Sequence, residues 1–458
     1  MMKRRIKIAI CILVVPIMTV ACVEPSVSNA TKSDVSNATE PAAVSNMIEI
    51  VPMTQEQIFA SLDELTIDDG LEHLDMGNLS LLAEQDNVFA QARLAHIYFD
   101  EGDYNQSAYW FRRAANQGNY VAQYSLGMLY LDGLGVGQDN EQASYWLRLS
   151  SEQGLSLAQN NLGMMYTGNL GVGLDFEQAV YWLRKAAQQD LAIAQFNLAG
   201  RYYIGQGVTQ NLESAFYWMS KAAEQGFAWA QHNLGIMYDE GHGVMQNFEQ
   251  ATYWYRRAAE QNLARAQSNL GERYYLGQGV TQSYESAFYW IRRAAEQDIV
   301  WAQHNLGVMY SEGHGVTQNF EQAALWFRRA ANQEHFEAQH NLGLLYLEGR
   351  GVTQNAGQAA YWYRRAAEQG NRYAQGNLAR LYLNGQGVSQ NAEQAAFWFR
   401  KAAEQGLVGA QANLGALYNY GIGLRQSYEQ AAYWFRKADE QGHPYAQASL
   451  ELLPAQYR

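Results

Sequence analysis

The sequence predicts an all-α solenoid, and three observations predict it. Ten tryptophans, Trp110, Trp146, Trp182, Trp218, Trp254, Trp290, Trp326, Trp362, Trp398 and Trp434, follow one another at a constant interval of 36 residues. After Pro52 no proline occurs until Pro444, and proline is the residue that helix interiors exclude. Each interval resolves into two helical segments, A and B, with their own start and stop signals. A fixed period of this length means units that cannot bury an apolar face alone and must stack on their neighbours.

The stretch Ala222 to Arg257, AAEQGFAWAQHNLGIMYDEGHGVMQNFEQATYWYRR, shows one unit in full. Helix A is expected from about Ala228 to Tyr238, with Ala230, Leu234, Met237 and Tyr238 on one stripe. The leucine recurs eleven times from Leu94 to Leu450, and the tyrosine ten times from Tyr98 to Tyr418. In ten of the eleven A helices a small residue follows the leucine, among them Gly127, Gly163, Ala199, Gly235 and Gly271. Glycine inside a helix costs about 1 kcal/mol relative to alanine, so its recurrence predicts a close backbone approach to the neighbouring helix. Helix A is expected to stop at Gly241 and its counterparts Gly133, Gly205, Gly277, Gly313, Gly349, Gly385 and Gly421, with Asn169 in the remaining slot.

Helix B begins at an N-cap seven residues before each tryptophan: Asp103, Asp139, Asp175, Asn211, Asn247, Ser283, Asn319, Asn355, Asn391 or Ser427. Gln or Ser three positions later approximates a capping box. Helix B is expected to bury Ala251, Trp254 and Ala258 and to end at Gly226-type positions, held by Gly, Asn, Asp or, once, Glu334. The pairs Arg256-Arg257, Arg292-Arg293 and Arg364-Arg365 sit near helix C-termini, where cations are favoured, and Arg256 precedes Glu260 by four residues.

Composition bounds the function. The formal net charge is −13, and loss of residues 1–21 removes Lys3, Arg4, Arg5 and Lys7 to leave −17. Such a surface repels phosphate backbones, so nucleic acid is not an expected partner. The two cysteines, Cys11 and Cys22, precede the repeats, which leaves no disulfide framework and no cysteine metal site.

Residues 1–21 read as a secretory signal: a basic start, an apolar run from Ile8 to Val20, then a small residue. Thr19-Val20-Ala21-Cys22 resembles the lipobox of bacterial lipoproteins, although Leu is usual where Thr19 stands. The resemblance implies lipidation at Cys22 and, with Val23 following, an outer-membrane lipoprotein facing the periplasm or the cell surface; cleavage as a plain signal peptide after Ala21 is the alternative. Residues 22–52 contain VSNAT twice and little apolar content, the composition of a flexible tether. Residues 53–86 read as degenerate N-terminal capping helices, 87–445 as about ten repeats, and 446–458 as a C-terminal capping helix, with Pro454 in the tyrosine slot. The first repeat lacks the G-x-G-V loop, and Gly205 to Leu276 nearly duplicates Gly277 to Leu347.

The consensus AEQG-x-x-x-AQ-x-NLG-x-x-Y-x-x-G-x-GV-x-Q-N-x-x-QA-x-YW-x-RKAA, matched from about Ala83 to Gln447, resembles the Sel-1-like repeat family, a relative of the tetratricopeptide repeats. The resemblance implies a right-handed superhelix of antiparallel helix pairs whose A helices line the concave side. It further implies an adaptor that assembles protein complexes, and its bacterial members act in envelope assembly, exopolysaccharide export, signalling and host-cell entry.

Function is therefore sought where the repeat varies. Opposite the apolar stripe of helix A lie the columns of His232, Ile236 and Asp239. The first reads Tyr124, Asn160, Phe196, His232, Ser268, His304, His340, and the third Leu131, Thr167, Tyr203, Asp239, Tyr275, Ser311, Leu347. Mixed aromatic and polar residues suit a peptide-binding groove, with Tyr124, Phe196, Tyr203 and Tyr275 as its aromatic cluster. Packing on the next repeat is the alternative for the same face. A border column, Asn161, Asn197, Asn233, Asn269, Asn305, Asn341, Asn377 and Asn413, could grip an extended peptide or bond a neighbouring helix. The histidines of one column are spaced too far apart for a shared metal, and no cofactor is expected. Enzyme activity is the rival class, because some cysteine-rich relatives have been described as weak β-lactamases; this chain has no cysteine in the array and no Ser-x-x-Lys.

Overall fold

The computed structural model describes residue 71 and residues 73–168, 170–444 and 446–457. The leader, Cys22, the tether, most of the degenerate stretch 53–86 and Asn169 lie outside the described residues. Among the described residues there are 22 α-helices and no strand. A first helix, Met76–Glu84, is followed by ten A and B pairs, from Val88–Glu101 with Tyr104–Asn116 to Val408–Tyr420 with Tyr428–Glu440. The helix Ala446–Glu451 and a 3-10 turn, Ala455–Tyr457, close the chain. The chain forms two units, one ending at Ala258 and the other running on from Ala259; in each, successive helices pack on one another.

The helix boundaries follow from their caps. All ten N-cap side chains of the B helices accept the N–H three residues on, at 2.7–3.2 Å. Nine A helices end on a left-handed glycine, the first on Gly102 at φ 83° and eight, from Gly133 to Gly421, at φ between 67° and 76°. B helices close on left-handed residues too, and four of these, Asp190, Asn262, Asp298 and Glu334, have side chains and φ of 60–66°.

The core runs on between repeats: Ile291, Ala294 and Ala295 of one B helix pack with Ala302, Leu306 and Met309 of the next A helix and with Trp326 of the B helix after it. Ala230, Leu234 and Met237 are buried as expected, as are Ala251 and Ala258. The tryptophans are only partly the core: Trp110 and Trp362 are buried, whereas Trp254 keeps some exposure. The better-buried position is the next residue, held by Phe111, Leu147, Leu183, Met219, Tyr255, Ile291, Phe327, Tyr363, Phe399 and Phe435. That side chain occupies the space opposite the interior glycine. A Cβ on Gly127 would lie 2.9 Å from Leu147 Cγ, and one on Gly307 would lie 2.6 Å from the Phe327 ring. The close approach is thus to helix B of the same repeat. In the G-x-G-V loop the second glycine is equally constrained: Gly207 has φ +71°, and a Cβ there would lie 1.9 Å from the carbonyl oxygen of Phe176.

Two polar series stitch repeats together. The buried glutamine of each AQ dipeptide donates Nε2 to a carbonyl at the end of the preceding B helix, as Gln195 does to Ala187 at 3.2 Å and Gln375 to Ala367 at 3.1 Å. Its Oε1 accepts from the glutamine that caps its own repeat's B helix, Gln225 on Gln195 and Gln405 on Gln375, both at 2.8 Å. The first arginine of the RR or RK pair donates to the tyrosine of the next A helix, as Arg184 does to Tyr202 at 3.0 Å and Arg364 to Tyr382 at 2.8 Å. The second arginine lies over the aromatic rings of its own helix, as Arg365 does over Tyr361 and Trp362.

Both ends reuse these bonds. Gln91 donates to Ala83 O at 2.9 Å, so Met76–Glu84 stands where a B helix would. At the other end Arg436 donates to the backbone carbonyl of Tyr457 at 3.0 Å, because Pro454 fills the slot of the usual tyrosine. Leu453 seals that end, buried against Ala431, Ala432 and Phe435.

Candidate functional site

The residues singled out on helix A separate into two groups. Tyr124, Phe196, Tyr203, His232, Ile236 and His304 are buried, and Asp239, Tyr275 and His340 are half-buried. The first six do not line an open groove, and this corrects their assignment as groove residues. The physical reason is the tight approach of successive helices: Tyr124 and His304 pair with Asn161 and Asn341 of the next repeat, Tyr203 pairs with His242 of the next loop, and Phe196 packs on Phe227.

The asparagine pairing links residues 37 apart. Asn161 Nδ2 donates to Tyr124 Oη and Asn197 Nδ2 to Asn160 Oδ1, each at 3.1 Å. In the second unit Asn341 Nδ2 donates to His304 Nε2 and Asn377 Nδ2 to His340 Nε2, each at 3.2 Å. His340 Nδ1 lies 3.3 Å from Asn341 Oδ1. With Nε2 accepting, the ring donates from Nδ1 and is neutral. The asparagine column is therefore an inter-helix ladder.

Burial sets the protonation of this layer. It pushes Tyr124 well above the usual tyrosine range, holds His340 below the ordinary imidazole value, and takes His304 down to about 4. His335, stacked on His304 at 4.7 Å between centroids, accepts the Ala338 N–H at 3.3 Å and is likewise held neutral by burial. Glu337 Oε2 lies 3.4 Å from His335 Nδ1; burial raises this carboxyl to about 7, so near neutral pH a partly protonated carboxyl faces a neutral imidazole. Among the described residues no group of three His, Cys, Asp or Glu side chains is arranged to hold a metal.

The third column serves its loops. Tyr203 Oη lies 3.0 Å from His242 Nδ1, and Tyr275 Oη lies 2.9 Å from His314 Nδ1, the same pair in the two duplicated segments. Gln246 Nε2 donates to the Asp239 carbonyl at 2.7 Å, closing the G-x-G-V loop.

The helix A face opens toward the C-terminal end of the second unit. Tyr373 is 48% exposed and shares an opening with the exposed Arg380 and Asn413, and Tyr420, at the end of the next A helix, is 68% exposed. Tyr373 is held by Arg372, whose guanidinium lies 5.0 Å over its ring and donates to its hydroxyl at 3.1 Å. Sequence reasoning missed these residues. The available signal was the variable column itself, in which bulky side chains give way to Gly376 and Ala412. On the B helices a second exposed series occurs, Tyr109, Tyr145, Tyr181, Tyr217, Tyr253, Tyr289, Tyr361 and Tyr433, each with its ring edge-on to the adjacent tryptophan.

Comparison with known proteins fits this geometry. The Sel1 repeat family model matches ten consecutive segments, from 88–119 to 408–443. A solved structure of a protective antigen present in uropathogenic Escherichia coli strains, described as displaying an SLR fold, is 35% identical. The match covers 84% of this chain and 92% of that one, with a TM-score of 0.62. A Sel1 repeat protein from Oxalobacter formigenes is 34% identical over 67% of this chain and 89% of its own, with a TM-score of 0.53. Comparison with curated proteins gave no match.

Proposed function

We propose, for a chain that belongs to the Sel1-repeat family, a non-catalytic scaffold that binds partner proteins or peptides on the helix A face of its second unit. The observation that carries this reading is the contrast along one face. The variable column is buried from Tyr124 to His304, half-buried at His340 and reduced to Gly376 and Ala412 beyond, where the neighbouring Tyr373, Arg380 and Asn413 stand open to solvent, as does Tyr420 at the end of the last A helix. Exposed aromatics flanked by an arginine and an amide supply the anchors that protein interfaces favour. Captured proteins from envelope membranes test it. Tyr373→Ala with Tyr420→Ala should lose the partners that Tyr145→Ala with Tyr181→Ala retains; the reverse pattern moves the binding face to the exposed B-helix tyrosines.

The scaffold is further proposed to be exported and tethered to the outer membrane by lipid on Cys22, with residues 23–52 as the leash. Metabolic labelling with an acyl analogue should mark the wild type and not Cys22→Ala; equal labelling of both contradicts the anchor. No nucleic acid, cofactor or small-molecule substrate enters this reading. A nitrocefin assay on the mature chain addresses the hydrolase alternative, and turnover would overturn the non-catalytic assignment.

A further inference from the structure

At Gly376 the asparagine ladder meets a residue with no side chain. Asn413 stands 37 residues after Gly376, and glycine offers no side chain for its amide to meet. Asn413 Nδ2 turns instead to the carbonyl of Gly409 in its own helix, at 2.8 Å. The space that Phe196, His232 or His304 fills in other repeats is left open at Gly376. It forms a cavity of about 250 Å³, bounded by His340, Tyr373, Asn377, Arg380, Leu407 and Asn413. The glycine is not forced by packing against helix B: a Cβ there would meet only Leu407 Cδ2, at 2.9 Å, the movable end of a side chain. A helix interior thus carries the about 1 kcal/mol cost of glycine and gains an opening.

The charge at this opening is specific. Arg380 occupies the column of Met128, Met164, Gly200, Ile236, Glu272, Val308 and Leu344 and is its one arginine. It is exposed, and its Nη2 donates to Asn377 Oδ1 at 3.2 Å, which aims the guanidinium along the cavity rim. Helix Arg372–Asn384 carries two arginines and no acidic residue, in a chain of net charge −13. A planar guanidinium beside the Asn413 amide, which has a second N–H beyond the one given to Gly409, matches a carboxylate, which accepts several hydrogen bonds at once. The volume suits one side chain or chain terminus and is below that of a typical drug-sized pocket.

We propose that the Gly376 cavity is a carboxylate-binding pocket, taking an acidic side chain or a C-terminal carboxylate of a bound peptide against Arg380 and Asn413. This rests on the scaffold reading only for the source of the carboxylate. The pocket itself is tested with small probes on the full chain, so it stands or falls separately from partner capture. Saturation-transfer NMR at neutral pH would compare N-acetyl-leucine, N-acetyl-glutamic acid α-amide and N-acetyl-leucinamide. At least one carboxylate should bind while the uncharged amide does not, and which one binds identifies the source. Arg380→Gln should weaken binding by roughly 10-fold, the order of a charge-assisted hydrogen bond. Gly376→His, which supplies the side chain that neighbouring repeats carry, should abolish it. Arg380→Gln changes an exposed side chain, so the test holds even where Gly376→His fails to fold. Equal binding of the amide, binding unchanged in Arg380→Gln, or no binding of either carboxylate overturns the proposal.

Discussion

A methyl group built on Gly235 would lie 2.6 Å from the ring of Tyr255. Helix A and helix B of this repeat touch where the side chain is missing. Gly235→Ala should therefore lower stability by about 1–3 kcal/mol, the cost of overpacking, although alanine is favoured over glycine in a helix by about 1 kcal/mol. Gly376→Ala should show the opposite sign, because Leu407 Cδ2 can move aside. Urea midpoints of the two variants check the pair, and a shared sign would contradict the packing account.

The glutamine ladder is expected to carry more stability than its uncharged bonds suggest. Gln339 is fully buried, donates to Ala331 O at 3.2 Å and accepts from Gln369 Nε2 at 2.9 Å. Gln339→Met keeps the length and strands both partners, at a cost of about 2–4 kcal/mol. Gln354, an exposed glutamine bonded to Leu347 O, should cost less than half as much when changed to Met. Thermal unfolding of the two variants reads the difference.

Acidification should weaken the second unit. His304 is depressed by burial from about 6.5 to about 4. Its contribution is therefore complete above pH 6.5 and lost as pH falls toward 4, a change of about 3 kcal/mol. Glu337 acts with the opposite sign: its carboxyl is raised from 4.5 to about 7, so stability present below pH 4.5 is lost as pH rises through 7. Melting temperatures between pH 4 and pH 8 should fall less steeply on the acid side for His304→Asn. Glu337→Gln should raise the melting temperature at pH 8 and leave it unchanged at pH 4.

Glu334 occupies a left-handed position, φ 66°, that six other repeats give to glycine and three to Asp or Asn. It forms an exposed ion pair with Arg365, and such pairs contribute about 0–1 kcal/mol. Relief of the backbone conformation is the larger effect, so Glu334→Gly should raise stability by about 0.5–1 kcal/mol. A calorimetric melting temperature at or below that of the wild type would show that the ion pair dominates.

The sequence made the scaffold legible because its duties repeat. Leu234, Gly235, Gly241 and Asn247 each have a local physical reason, a stripe, a close approach, a left-handed stop and a cap, that spacing alone displays. The site was harder to read for the opposite reason. A helical wheel places His232 and Tyr124 opposite the leucine stripe, but a wheel treats one helix at a time, and the neighbouring A helix covers that side. The AQ and EQ glutamines were visible in the consensus, yet their bonds join residues 30 apart and need three helices to be seen together. The residue after each tryptophan varies among Phe, Leu, Met, Ile and Tyr, which hid a column that is apolar in all ten repeats.

The most direct test of the scaffold is site-specific photo-cross-linking in cells, with a photoreactive amino acid placed at Tyr373, at Tyr420 or, on helix B, at Tyr145. The account predicts discrete adducts with partner proteins from Tyr373 and Tyr420 and none from Tyr145. Adducts from Tyr145 alone would contradict it and place binding on the other face of the repeats.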